Sequence, residues 1–262
     1  MENENEITLN RESFILILSI RRSGKSFLIS QLIYNFMNNA DENNKTSHLY
    51  MFSNTAKIDQ KGQYNFVDKK SIFSAKPENI ERVVKRIVEI QKETHKKNHV
   101  LLVFDDIDLS SKYSSSIEWL AVQGRHYNIT VILSAQIATT AISPLIRNNY
   151  TYLFFRKLNK ETIEKTIYGM IINNEFENAK DFREFVSDNI HDYQFIFYNN
   201  DSDEKQLSII KASSIPKEYK YMVKAPQKEK EIKSHKKHIG WGVPLNITHF
   251  DSEGNPLNIK YH

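Results

Sequence analysis

Apolar residues along this chain fall into two rhythms that alternate. Ser13–Leu18 (SFILIL) is a continuous apolar run, short enough for a buried strand. After the turn IRRSG, the segment KSFLISQLIYNFMNN puts Phe27, Leu28, Leu32, Ile33 and Phe36 on one helical face. His48–Phe52 reads as a second strand, and 54–77 as an irregular polar stretch. Glu78 to about Lys97 is an amphipathic helix with Ile80, Val83, Val84, Ile87 and Ile90 on one side. His99–Phe104 (HVLLVF) is a third strand, followed by a short helix near Ser114–Gln123, a fourth strand Ile129–Ser134 and a fifth, Tyr150–Phe155. Helical patterns over 159–173 and 178–190 lead to a hairpin, Tyr193–Tyr198 with Gln206–Lys211, around the polar turn NNDSDE. Strands alternating with helices predict an α/β domain, a mostly parallel sheet with helices on both faces.

This rhythm ends near Pro216, where Lys, His, Pro and Gly take over. The division expected is an N-terminal extension (1–12), one α/β domain (13–215) and a basic, flexible tail (216–262). The 262 residues are enough for a full core, and no internal repeat is visible. Residues 224–238 hold six Lys against two Glu, which accounts for the whole formal charge of +4, so the rest is formally neutral. Any nucleic-acid contact by the body then needs a local patch or several subunits acting together. The absence of cysteine excludes disulfides, thiolate-held metals and a thiol nucleophile. The acidic start MENENEITLN is no secretory signal and no apolar run is long enough to span a bilayer, so no membrane partner and no secretion are expected.

The candidate chemistry lies where the first strand turns into the first helix. Ser19-Ile20-Arg21-Arg22-Ser23-Gly24-Lys25-Ser26 satisfies the phosphate-loop pattern G-x-x-x-x-G-K-[ST] except that Ser19 replaces the opening Gly. In such a loop, backbone N–H groups surround the phosphates, here from Ser19 through Phe27. Lys25 reaches the β and γ oxygens, and the Ser26 hydroxyl ligates Mg²⁺. Gly24 lets the backbone approach the anion closely, and Ser fits position 19 if its φ stays negative. Downstream, Val100-Leu101-Leu102-Val103-Phe104-Asp105-Asp106 is a buried strand ending in two acids. Asp105 is placed to hold Mg²⁺ and Asp106 to polarise a water for attack on the γ-phosphate. Asp108 reads as a turn or capping residue. Ser134-Ala135-Gln136 would bring an amide from the neighbouring strand beside that phosphate. Arg125 and Arg147, each just before a strand, are candidate arginine fingers for a neighbouring subunit, with surface ion pairing as the alternative. His95 and His99 straddle a strand boundary and form no metal pair. Ser110–Ser116 lacks a hydrolase elbow.

In their order, SIRRSGKS, LLVFDD, GRHYNITVILSAQ and SPLIRNN with the aromatic strand after it, this chain resembles the genome-packaging ATPases of large double-stranded DNA viruses and virophages, the poxvirus-type branch of the FtsK–HerA superfamily. The resemblance covers about Phe14–Phe155. It implies a P-loop NTPase of the additional-strand type, with one strand inserted between the loop strand and the Asp105 strand; His48–Phe52 stands there in sequence. It further implies ATP and Mg²⁺ as ligands, a pentameric or hexameric ring with ATP sites at subunit boundaries, and transport of double-stranded DNA into a preformed capsid. Lys25 and Ser26 would bind phosphate and metal, Asp105 the metal, Asp106 the attacking water and Gln136 the γ-phosphate, with Arg147 or Arg125 acting in trans. The tail would touch DNA or a capsid or portal-vertex protein through anchors such as Trp241 and Phe250, or touch nothing. The expected location is the host cytoplasm, a viral factory or the virion. Two other readings stand beside this one, a nucleoside or nucleotide kinase and a non-catalytic, nucleotide-gated assembly protein.

Overall fold

A computed structural model describes residues 9–20, 22–38, 46, 48–58, 62–107, 111–135, 142–156, 158–162, 166–171, 176–201, 207–220, 249–250 and 256–257. In chain order its elements are β1 (Phe14–Leu18), α1 (Lys25–Met37), β2 (His48–Phe52), α2 (Asn54–Ile58), β3 (Ile72–Phe73), α3 (Pro77–Glu93), β4 (Val100–Phe104), α4 (Ser111–Gln123), β5 (Ile129–Ala135), α5 (Pro144–Asn149) and β6 (Tyr152–Phe155). They continue with α6 (Lys160–Thr162), α7 (Tyr168–Met170), α8 (Ala179–Asn189), β7 (Gln194–Asn199) and β8 (Leu207–Lys211). The last four described residues, His249–Phe250 and Pro256–Leu257, pair with each other as a separate antiparallel ladder.

Eight strands form one sheet in the order β3-β2-β4-β5-β1-β6-β7-β8. The first six are mutually parallel, and β7 runs antiparallel to both neighbours. Because the central strands are buried on both faces, alternate residues serve two cores. Phe14, Leu16 and Leu18 of β1 join Val100, Leu102 and Phe104 of β4 in the core closed by α3, α4, α5 and α8. Ile15, Ile17, Leu101 and Val103 face the other core, which α1 covers together with Tyr64, Phe66 and Val67. The α3 stripe Ile80, Val83, Val84 and Ile87 is buried, each side chain contributing about 1.5–3 kcal/mol relative to exposure. Pro77 begins that helix, where its missing N–H costs nothing.

The inserted strand is present, but its identity differs from the expectation. The element between β1 and β4 is β5, the strand that leads to Gln136, whereas β2 lies on the far side of β4. Two parallel strands close in sequence need only one crossover helix between them, so chain order does not fix sheet order. The polar stretch 54–77 also contains more order than its composition suggests, including α2 and the edge strand β3. Within 159–173 the described helical residues are α6 and α7, with 166–167 leading directly into α7. Tyr219 packs against Tyr34 of α1 at 4.8 Å, edge to face, and against Phe66 at 5.7 Å.

One buried titratable group sits at the end of the sheet where the parallel strands begin. His99 bonds Thr46 Oγ1 through Nδ1 (2.9 Å) and Thr130 Oγ1 through Nε2 (2.8 Å). Burial, helped by the Arg11 charge, pushes its pKa from 6.5 down to about 3. Between those values the unfolded chain binds a proton that the folded chain refuses, so stability rises with pH across this window and is lost as pH falls. The loss is at most about 1.4 kcal/mol per pH unit. Urea unfolding of wild type and His99→Gln between pH 6.5 and 4 should show the steeper decline in wild type. Parallel slopes would contradict it.

Candidate nucleotide site

The carboxyl ends of β1, β4 and β6 open onto a cleft of about 1010 Å³. Its walls come from the β1–α1 turn (Ile20, Arg22–Phe27), the end of β4 (Asp105, Asp106), the stretch before β3 (Gly62–Tyr64), and from Arg156, Asp192 and Tyr193. Ligands of open parallel sheets bind at such strand ends.

The turn is built as an anion cradle. Gly24 caps α1 in the left-handed region (φ 88°), no side chain caps that end, and the first helical turn holds no acid. No side chain therefore competes with an anion at the N-terminus of this thirteen-residue helix. Ser19 has no positive φ, as its position requires, and its hydroxyl meets that of Ser23 across the loop. Arg22 does take a left-handed φ of 57°. Lys25 is only 7% exposed, and its Nζ donates to the carbonyls of Ser19 (3.1 Å) and Ile20 (3.0 Å). The ammonium is thus held inside the loop.

Across the cleft the paired acids differ. Asp105 is 5% exposed, and burial raises its pKa to about 6, the Tyr64 hydroxyl offsetting part of that rise. Tyr64 Oη and Ser134 Oγ are themselves buried against it without a well-formed hydrogen bond. Asp106 is exposed and held at φ 57°, a strained conformation for a non-glycine residue at the lip of a cleft. Among the described residues no three His, Cys, Asp or Glu side chains cluster as a metal cage. The Ser26 hydroxyl and Asp105 carboxylate are hard oxygen donors, few in number. That set fits Mg²⁺, which keeps several waters and takes phosphate oxygens from its substrate.

Of the sequence-derived residues, Ile20, Arg22, Ser23, Gly24, Lys25, Ser26, Phe27, Asp105 and Asp106 line this one cleft, with Ser19 bonded beneath the loop. Arg21, Asp108, Gln136 and Trp241 lie outside the described residues. Gln136 directly follows Ala135, whose register partner is Leu18 at the end of β1. Arg125 and Arg147 do not line the cleft. They precede β5 and β6, at the pole where the parallel strands begin, so neither faces the phosphate loop of its own chain.

Arg156, Tyr64 and Tyr193 are among the lining residues that no motif signalled. Arg156 follows β6, its N–H bonded to Leu18 O (3.2 Å). Its guanidinium braces the loop from the side, Nη1 donating to the Ser23 carbonyl and Nη2 to His191 O (3.2 Å) and Asp192 (3.3 Å). Tyr64 and Tyr193 come from connecting segments. Only the position of Arg156 at the exit of a strand beside β1 could have marked it.

This sheet order, with a strand between the phosphate-loop strand and the acid-bearing strand, defines a P-loop NTPase fold of the additional-strand type. The sequence profile of the poxvirus A32 protein family matches residues 8–238, and the chain belongs to that family. Direct comparison with curated protein sequences finds no match. Solved structures share the fold. The genome-packaging NTPase B204 of Sulfolobus turreted icosahedral virus 2, in complex with ATP-gammaS, is similar at a TM-score of 0.55 and 15% identity, covering 78% of this chain and 98% of that one. The conjugation coupling protein TcpA of pCW3, in its monomer form with ATPgS, superposes at 0.55 with 14% identity over 79% and 61%. ATPases 2 and 3 of EssC from Geobacillus thermodenitrificans give 0.52 and 14% over 78% and 40%. Among the described residues no helix is long and apolar enough to cross a membrane.

Proposed function

We propose that this protein is an ATP-hydrolysing motor that drives double-stranded DNA into a preformed capsid in the host cytoplasm or viral factory. The observation that carries the reading is the single cleft that joins the Gly24-Lys25-Ser26 loop to Asp105 and Asp106. Lys25 and the loop N–H groups bind the β- and γ-phosphates, and Ser26 and Asp105 hold Mg²⁺. Bound there, Mg²⁺ would neutralise charge on the phosphate oxygens. Asp106 accepts a proton from the attacking water, and Gln136, at the exit of β5, orients that water. Membership of the poxvirus A32 family and the likeness to a genome-packaging NTPase support DNA as the cargo.

Arg125 and Arg147 sit at the pole away from the loop, so either reaches a γ-phosphate only from a neighbouring copy. A pentameric or hexameric ring provides that neighbour and also multiplies the few DNA contacts that a formally neutral body can make. A capsid or portal-vertex protein is the further partner, with the basic segment 224–238 as its docking or DNA-contacting element.

Phosphate release, measured with and without duplex DNA and with Arg147→Ala or Arg125→Ala subunits doped into wild type, tests this. Release should rise with DNA and fall more steeply than the dose of the arginine variant that acts in trans. ADP formed only with a small acceptor, without free phosphate and regardless of DNA, would favour a kinase. Neither ADP nor phosphate formed under any condition would favour a non-catalytic assembly protein.

A further inference from the structure

The cleft has two distinguishable ends. Asp105 and Asp106 stand on β4, two strands to one side of β1, while Arg156, Asp192 and Tyr193 belong to the β6–β7 side. A nucleoside triphosphate whose γ-phosphate faces the acids must run its nucleoside the other way, past Gly24 and Phe27.

Tyr193 occupies that end. It is 49% exposed and joins neither core, although it is a large aromatic residue. Its backbone is in the left-handed region at φ 61°, disfavoured for a bulky side chain. Its neighbours hold it there. Ala212 N–H bonds Tyr193 O at 2.8 Å, and Arg156 grips the preceding His191 carbonyl and Asp192 carboxylate. The ring is thereby laid against the phosphate loop, 3.2 Å from where a Cβ on Gly24 would stand. Phe27, one residue beyond the metal-ligating Ser26, backs it at a centroid distance of 5.3 Å, tilted 49°. A half-exposed aromatic face, fixed by backbone bonds at the lip of a polar cleft, is what a flat heterocycle stacks upon.

We propose that Tyr193, backed by Phe27, is the platform for the nucleobase of the bound triphosphate. The proposal rests on the nucleotide reading of the cleft and adds a base subsite to it. A ring face contacts every base through its π-surface and reads none of its edges, so ATP and GTP bind alike. Tyr193 is then a binding residue for the nucleoside half, separate from the loop that holds the phosphates.

Isothermal titration of the full-length protein with Mg-ATP, Mg-GTP and Mg-tripolyphosphate separates the two halves. Tyr193→Ala should weaken ATP and GTP about ten- to hundredfold and leave tripolyphosphate unchanged, while Tyr193→Phe should bind all three like wild type. An unchanged ATP affinity in Tyr193→Ala, or an equal loss for ATP and tripolyphosphate, would overturn the base platform. If wild type bound neither ATP nor tripolyphosphate, the nucleotide reading itself would fall instead.

Discussion

Lys25→Ala should weaken nucleotide binding strongly and hydrolysis more strongly still. The side chain is enclosed by the loop, its Nζ shared between the carbonyls of Ser19 and Ile20, and among the described residues no other lysine lines the cleft. A charge-assisted bond to phosphate contributes about 1.5–3 kcal/mol, so its loss alone weakens ATP by roughly ten- to 150-fold. Hydrolysis should fall further, since charge that builds on the γ-oxygens in the transition state loses its counter-charge, an effect on the order of a hundred- to thousandfold. Alanine also releases the two carbonyls that Lys25 ties together, so a small drop in melting temperature should accompany the loss. Titration with a fluorescent ATP analogue and a phosphate-release assay check this. A Lys25→Ala protein that is folded and hydrolyses ATP at the wild-type rate would remove the phosphate loop from the account.

Asp106→Asn should separate binding from chemistry. Asp106 is exposed and sits at φ 57°, a conformation that asparagine adopts as readily as aspartate. The substitution therefore keeps the backbone and the volume, and takes away the negative charge and with it the ability to accept a proton. Turnover should drop about a hundred- to ten-thousandfold while ATP affinity stays within a few fold of wild type. Asp105 would not give so clean a result, because a buried carboxylate that holds the metal supports binding as well. If Asp106→Asn turns over normally, the water is activated elsewhere, or the protein performs its role without hydrolysis.

Both predictions concern residues legible in the sequence, and the reason is local. A buried strand, a sharp turn and a helix are consecutive in the chain, so the loop from Ser19 to Phe27 announces itself. A strand ending in Asp105-Asp106 does the same. What could not be read is set by which strands become neighbours. Burial on both faces makes β2, β4 and β5 alike as apolar runs, and nothing in their composition says that β5 is the strand between β1 and β4. Arg156 is an ordinary arginine after an aromatic strand until β6 pairs with β1 and brings its guanidinium to the Ser23 carbonyl. Tyr64 belongs to a stretch that reads as polar loop, yet its ring is buried and its hydroxyl lies against Asp105. The left-handed φ of Tyr193, imposed by bonds from Ala212 and Arg156 to its segment, leaves no trace in hydropathy at all.

The central claim is that a triphosphate sits where β1 turns into α1, with the two aspartates facing its far end. A crystal structure of the protein with Mg²⁺ and a non-hydrolysable ATP analogue tests it most directly. The account predicts phosphates wrapped by the Gly24–Ser26 amides and Lys25, a cation between Ser26 and Asp105, and Asp106 beside the γ-phosphate. A nucleotide bound at another surface, or acids turned away from an empty loop, would contradict it.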